Sequence, residues 1–458
     1  MYKKLIYLFS ILFLLSCKSK SVDDGLGLIT LDPAHFHAAL LQKNSHPMLR
    51  SDVFVYAPDS MHLKSHLALV ESYNHREENP TDWNQIVYVG DDFVERMLSD
   101  KNGDIVLLAG NNSDKADYIS RTIAAGINVL SDKPMIITAE QFPLLRQAYK
   151  DADNKKVVLY DLMTERYDVL NVIQKALMQT TLFGGLAEGT LDNPVVTSES
   201  THHFIKEVSG SRLIRPAWYY DVTQQGDGIT DVTTHLIDQM MWKCFPETAI
   251  VYDQDVTVVD ATRDFTALSL EEFTKSTTLN QFPSFLNNAI VNDTLQVYSN
   301  GSILFSIKGV PMSVKVRWDL EAPKGGGDTS KFIVRGNNAN LLILQGEEQD
   351  YKPQLYVERR SDSGQSVEEF ITNLTEEINS LQKEYPKLTI REEGENLFLI
   401  NIPNEYRLGH EAHFTKVINC YIDYIKNQNI PQWEESNTLS KYFITTRALE
   451  IAKSKSKD

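Results

Sequence analysis

Cysteine is almost missing from this chain: Cys17, Cys244 and Cys420 are the only three in 458 residues. That excludes a disulfide-stapled scaffold or a cysteine-rich zinc fold, which need even, closely spaced sets. Positive charge is also short. Forty-five Lys and Arg face 62 Asp and Glu, for a formal charge of −17. Nucleic-acid binding needs a basic surface, so this balance argues against that partner and against charge-driven binding to anionic lipid; the acidity serves solubility. The N-terminal apolar run, residues 5–15, has eleven residues, well below the about 20 that cross a bilayer. There is no internal repeat, heptad array or low-complexity tract. One local shortage matters most. The turn after the first strand reads Leu31-Asp32-Pro33-Ala34-His35-Phe36-His37-Ala38, without glycine.

What is present is globular material, 42% hydrophobic and 23% charged, in a chain long enough for two or three domains. Lys3 and Lys4 precede the apolar run, which has the form of a secretory signal. It ends in Leu14-Leu15-Ser16-Cys17, which resembles the bacterial lipoprotein cleavage box. That resemblance implies a signal peptide over residues 1–16, a lipidated Cys17, a polar tether over 17–24 and a lipid-anchored place in the bacterial cell envelope, on the periplasmic or outer-membrane face. An ordinary signal or anchor with an incidental cysteine is the alternative. Loss of Lys3 and Lys4 takes the charge from −17 to −19. Cys244 and Cys420 each sit in an apolar helical context and read as two separate thiols.

Residues 25–157 alternate strand and helix signals, which predicts a Rossmann-like parallel sheet. Strands are expected at 27–31, 52–57, 86–89, 104–109, 128–130 and 157–160, with a helix starting at 37–43. Gly126 serves as a helix stop. Residues 158–458 read as a second α/β domain. A helix over 167–182 is followed by β-rich runs at 249–259, 293–298, 302–307, 312–318, 331–334 and 340–344, which predict a large, mostly antiparallel open sheet. Residues 365–392 read as a helix with a surface connection, and 411–424 and 438–452 as closing helices.

Several residues carry chemistry. A dinucleotide's pyrophosphate needs close backbone approach and a helix N-terminus. In the first turn only Ala34 stands in for a glycine, Asp32-Pro33 stiffens it, and His35 and His37 are bulky. A capped turn without phosphate is one reading; phosphate held by helix amides with help from His35 is the other. Asp59, 27 residues beyond Asp32, ends the second strand, where a carboxylate takes the adenine-ribose hydroxyls and favours NAD over NADP. Asp231 and His235 are four residues apart, on one helical face, with Asp238 three further on. A histidine titrates near working pH and suits proton transfer. His202, His203, Arg212, Arg215, Trp218, Tyr219, Tyr220 and Asp238 are candidates for the substrate side, since aromatic faces suit the C–H face of a sugar ring and arginines can bind a carboxylate or sulfate; for the aromatics a plain core role is the alternative. Histidines also allow a metal site, from His35, His37, His203 and His235, with His202, His410 and His413 as further candidates for the same cleft. His62 and His66 have i,i+4 spacing.

The chain resembles the glucose–fructose oxidoreductase / inositol dehydrogenase (Gfo/Idh/MocA) family over residues 25–240. His37-Ala38 matches the family's His-Ala after its glycine fingerprint. Ala125-Gly126-Ile127-Asn128-Val129-Leu130-Ser131-Asp132-Lys133-Pro134 is similar to its Glu-Lys-Pro strand, with Asp132 replacing the glutamate. The run from Gly226 to Asp238, through Asp231 and His235, is similar to its Gly-rich, Asp…His…Asp motif. The resemblance implies that Asn111 and Asn112 lie near the nicotinamide ribose, with Lys115 replacing a common histidine. It implies that Lys133 stabilises a developing alkoxide, and that His235, oriented by Asp231, takes the hydroxyl proton as hydride passes to nicotinamide. Arg166 stands where the family often has a substrate-proximal arginine. The expectation is therefore an NAD-dependent oxidoreductase of a sugar or sugar derivative, with tightly bound NAD recycled within one catalytic cycle, serving polysaccharide breakdown. A homo-oligomer is implied by analogy. Two alternatives stand beside it: a metal- or NAD-assisted glycoside lyase or hydrolase, and a non-catalytic carbohydrate-binding lipoprotein.

Overall fold

The computed structural model describes residues 25–208 and 211–455; the signal, tether and Cys17 expectations lie outside the described residues. Among these, no helix is long and apolar enough to cross a membrane. The first domain is built from β1 (Leu26–Leu31), α1 (His37–Leu40), β2 (Leu49–Ala57), α2 (Met61–Asn74), β3 (Asn84–Val89), α3 (Phe93–Asp100), β4 (Ile105–Leu108), α4 (Lys115–Ala124), β5 (Asn128–Ser131), α5 (Phe142–Lys155) and β6 (Leu159–Asp161). Its six strands are parallel, in the order β3-β2-β1-β4-β5-β6. Strand order reverses between β1 and β4, with successive strands added outward on either side, so a crevice opens at their carboxyl ends, the usual ligand position of such sheets. The sheet takes in Leu159–Asp161, beyond the expected boundary at 157.

The second domain holds α6 (Val169–Met178), α7 (Val222–Gln225), α8 (Gly228–Asp231), α9 (Thr233–Cys244), α10 (Leu270–Thr277), α11 (Val367–Leu381), α12 (His410–Asn427) and α13 (Gln432–Lys455). Its sheet is large and mostly antiparallel. Val196–Ile205 lies near its middle, parallel to Val310–Glu321 on one side and antiparallel to Thr329–Arg335 on the other. The expected strand at 249–259 begins only at Val256 and runs to Leu268. Pro246 and the turn after it hold the preceding residues out of the sheet, and their apolar content serves the junction: Ile250 is fully buried, bonded through its amide to Asn437 of α13.

The first helix is the largest departure from expectation. Pro33 and the compact turn leave α1 only four residues, too short to cover the β1 face of the sheet. Phe414, Val417, Ile418, Tyr421 and Ile422 of α12 fill that place, packed with Leu28, Val53, Val55 and Ile105. A C-terminal helix thus completes the N-terminal core. α13 spans the junction, with Leu439 and Tyr442 in the core on the other face of the parallel sheet and Ile444, Ala448, Leu449 and Ala452 in that of the second domain. Cys244 and Cys420 are separate free thiols.

Candidate active site

Three turns meet at the crevice. The turn after β1 enters through Asp32, whose φ of +46° is left-handed, a conformation that costs most residues about 1 kcal/mol or more but suits Asp better than most. The turn after β4 passes close to it: a Cβ on Gly110 would lie 2.3 Å from the Asp32 carbonyl oxygen, so glycine is needed there rather than in the first turn. The turn after β5 brings Asp132 and Lys133. Opposite them, α8 and α9 bring Asp231 and His235. Gly228 lets α8 seat against the large sheet, since a Cβ there would lie 1.9 Å from the Ser299 carbonyl oxygen.

Lys133 crosses the junction. Its Nζ donates to Asp231 Oδ1 at 2.6 Å, and both side chains are largely buried. The other oxygen, Asp231 Oδ2, accepts from Gln225 Nε2 at 2.8 Å. Burial opposes charge on both partners, yet their mutual attraction outweighs it. The lysine is raised above the ordinary amine range, Asp132 helping, and the Asp231 carboxyl lies below the usual carboxylate range. Asp231 is expected to back His235; in the structure its two oxygens accept from Lys133 and Gln225. His235 stands one turn further along, half-buried, with the backbone helical through Val232 between them. Lys115 is fully buried and donates to the Asp132 carbonyl at 2.9 Å; burial pulls its amine down to about 8 against the pull of Asp132.

The asparagines after β4 serve the domain junction. Asn111 Nδ2 donates to Gln224 Oε1 at 2.7 Å, and Asn112 Nδ2 to the Gln225 carbonyl at 2.7 Å. Asp59 is exposed just past the end of β2 with Lys64 at 3.0 Å. Ala34 is half-buried in the first turn. Burial and the neighbouring Asp114 push the Asp32 carboxyl up to about 6.

The substrate-side expectations divide. Trp218 lies between the domains, its ring 6.3 Å from that of His62. Tyr219 is half-buried beside it. Arg212 is exposed on a two-stranded hairpin. Four others are structural. Tyr220 is buried, its hydroxyl bonded to Ser276. The Arg215 guanidinium is buried against the carbonyls of His203 and Phe204 and over the rings of Tyr219 and Trp318. Asp238 is held by a bidentate Arg166, at 2.7 Å on both oxygens, with Lys441 at 3.1 Å. Arg166 is committed to that pair and to Glu434, so it is removed from the substrate side. The common reason is that each is a buried polar or charged group, which stays in a core only when satisfied there.

Among the described residues the histidines do not all gather in one cleft. His202 and His203 pair with Asp328, at 3.3 and 3.0 Å, and Lys206 bonds the same carboxylate. His202 also stacks on Trp318, 4.9 Å between centroids. His66 is buried in the first domain, and burial lowers its imidazole to about 4; His413 is buried on α12, and the side chain of His410 lies outside the described residues. The four-histidine metal set is therefore corrected: among the described residues His35 and His37 stand together with Asp132, His203 pairs with Asp328 instead, and His235 is not part of the group.

Comparison with known proteins agrees with this architecture. The family model described as "Oxidoreductase family, NAD-binding Rossmann fold" matches residues 38–160, and that described as "Putative oxidoreductase C terminal domain" matches residues 173–453. A solved structure from Parabacteroides merdae, described as a putative oxidoreductase, is 44% identical over 95% of this chain and 99% of its own, with a TM-score of 0.92. Levoglucosan dehydrogenase in complex with NADH is 12% identical over 94% of this chain and 97% of its own, TM-score 0.60. GenD2 from gentamicin A biosynthesis, in complex with NAD, is 14% identical over 94% and 95%, TM-score 0.55. The last two share the fold alone. No curated protein matches the chain. The chain belongs to the Gfo/Idh/MocA family of NAD-dependent oxidoreductases.

At its two ends the crevice offers groups that a nicotinamide dinucleotide can use: an exposed carboxylate, Asp59, past β2, and a lysine held charged by Asp231 past β5. The middle is different. Its turn carries an acid and two imidazoles in place of glycines, and a four-residue α1 supplies little of the dipole that favours phosphate at a longer helix.

Proposed function

We propose that this chain oxidises a hydroxyl-bearing carbon of a sugar or sugar derivative, in the breakdown of polysaccharide. The observation that carries the reading is the Lys133–Asp231 pair, 2.6 Å across the domain junction. NAD, when bound, supplies the two-electron acceptor. Lys133 donates a hydrogen bond to the reacting hydroxyl oxygen and stabilises the alkoxide as its proton leaves. Asp231 keeps that amine charged and aimed, and the Asn112–Gln225–Asp231 chain fixes Asp231 from behind. His235, one turn along, is the base that takes the hydroxyl proton. Trp218 and Tyr219, their rings tilted by 59° to each other, give the substrate apolar faces to rest on. Levoglucosan dehydrogenase, solved with NADH and with NADH and levoglucosan, shares this fold, and that supports the sugar class.

The test is reduction of NAD by the full-length protein over a panel of monosaccharides, anhydrosugars and glycosides. One class is expected to turn over, and Lys133→Gln to lose at least a hundredfold in kcat while retaining NAD binding. Undiminished turnover in Lys133→Gln rejects the assignment. We infer also that Cys17 carries the lipid anchor, from the Leu14-Leu15-Ser16-Cys17 box. Labelling with a fatty-acid analogue is expected in the wild type and lost in Cys17→Ala.

A further inference from the structure

We propose that His35, His37 and Asp132 form a binding site for one divalent transition-metal ion of the zinc type, at the mouth of the crevice. The ligands come from two turns that the parallel sheet brings together, after β1 and after β5. His37 Nδ1 lies 3.0 Å from Asp132 Oδ2, and His35 Nδ1 lies 3.4 Å from the same oxygen. Bonds of 2.0–2.1 Å from a tetrahedral zinc place neighbouring ligand atoms about 3.3 Å apart. Two of the three edges of such a site already have that length. All three ligand atoms lie within 4.8 Å of one another, so a small rotation of one ring closes the third.

Three further observations point to a ligand. The buried His35 Nδ1 reaches the carboxylate only at 3.4 Å, beyond the 3.0 Å of His37 and the usual hydrogen-bond length, so its bonding capacity is poorly used. The carboxylate is oriented from behind, as metal-binding carboxylates are: Asp132 Oδ1 accepts the Lys133 backbone N–H at 3.0 Å. The imidazoles are held too. His37 packs edge-on against Phe414 of α12 at 5.0 Å and against His35 at 4.1 Å, with 83° between the two imidazole planes. Two neutral nitrogens and one carboxylate are the donor set of three-ligand zinc sites, which keep a fourth position open. His35 is about a quarter exposed, so solvent reaches the site.

The charges nearby also matter. Lys115 and Lys133 offset Asp132 and Asp231, and Asp32 in the same turn adds a further carboxyl, so part of a dication's charge stays uncompensated. An anionic fourth ligand, a hydroxide or a deprotonated substrate oxygen, would compensate it. The glycine-free turn gains a purpose: the two imidazoles that crowd the pyrophosphate segment supply two of the ligands. This goes beyond the sugar-oxidation reading and does not depend on it.

The experiment uses the full-length protein without a polyhistidine tag, stripped with chelator and dialysed. Cobalt(II) is titrated in, followed by its visible absorption, and zinc content is then measured by elemental mass spectrometry after competition. One metal per chain and the intense absorption of low-coordinate cobalt are expected. Both should vanish in His35→Gln and in His37→Gln, and persist in His202→Gln, whose histidine lies in the separate Asp328 cluster. Circular dichroism establishes folding of each variant, and His35→Gln, at the partly exposed ligand, is the one least able to disturb the fold. No stoichiometric binding by the folded wild type, or binding that survives in folded His35→Gln, overturns the proposal. Nucleotide content, read on the same samples by native mass spectrometry, reports on the redox reading separately.

Discussion

Asp238 separates a substrate-binding role from a structural one. It is 4% exposed on α9, with both oxygens on Arg166 and one on Lys441. Arg166 also grips Glu434 of α13 at 2.8 and 2.9 Å, and Lys441 reaches Asp161 at the end of β6 at 2.8 Å. One buried ionic network therefore joins the parallel sheet, α9 and α13. Asp238→Ala removes an anion between two cations that cannot leave. Breaking a buried pair on one side costs about 3–5 kcal/mol. The assay is denaturant unfolding of the wild type, Asp238→Ala, Arg166→Met and the double variant. The single variants should each lose stability in that range, and the double should lose less than the sum, because Asp238 and Arg166 are then removed together and Glu434 keeps the loss of its partner. The pH dependence has a definite sign. Burial raises the Asp238 carboxyl, but Arg166 and Lys441 outweigh it and hold it well below the usual carboxylate range. Its stabilisation is therefore full above the ordinary carboxylate pKa and is lost as pH falls through the folded one. The gap between wild type and Asp238→Ala should narrow on acidification below about pH 4. Unchanged stability in Asp238→Ala with a raised KM would refute this account and restore the substrate role.

Lys243 is fully buried, bonded to the side-chain oxygens of Asn171, Gln174 and Gln239, and burial lowers its amine to about 7. The unfolded chain binds the proton more tightly between about pH 7 and the ordinary 10.5, so stability should rise with pH across that window, by roughly 5 kcal/mol at most; Lys243→Met should flatten the rise, and an unchanged slope would exclude Lys243 as its source. Asp59→Ala should weaken NAD by about 10–100-fold, the worth of hydrogen bonds to a charged group, and shift preference toward NADP, since Lys64 is left without its partner; equal NAD affinity by calorimetry contradicts the ribose role. Asp32→Gly should relieve the left-handed strain and remove a carboxyl destabilised by burial, raising the unfolding midpoint at pH 7; a lowered midpoint shows that the side chain stabilises the turn.

The parallel sheet was legible because its strands are short apolar runs spaced by helices, a pattern set by burial on both faces. The same physics hid the roles of Asp238, Arg166, Tyr220 and Arg215. A charged or aromatic residue near a motif has the same letter whether it faces a ligand or a buried partner 200 residues away, such as Lys441. The truncation of α1 was half-legible: Pro33 and the missing glycines marked an irregular turn. Nothing local showed that α12 would cover the exposed face. Asp132 was read only as a substitute for glutamate. Its proximity to His35 and His37 depends on β5 lying next but one to β1, a pairing that spacing along the chain does not encode. Lys133 and Asp231 were readable as motifs; that they pair with each other follows only from the docking of α8 against the large sheet through Gly228.

The central claim is that this crevice, despite its glycine-free turn, seats a nicotinamide dinucleotide beside Lys133. Native mass spectrometry of the gently purified full-length protein, with NAD and NADP titrated into the stripped sample, tests it most directly. One NAD per chain, with weaker NADP and weaker NAD in Asp59→Ala, is the expected result. A folded protein that takes up no nucleotide would contradict it.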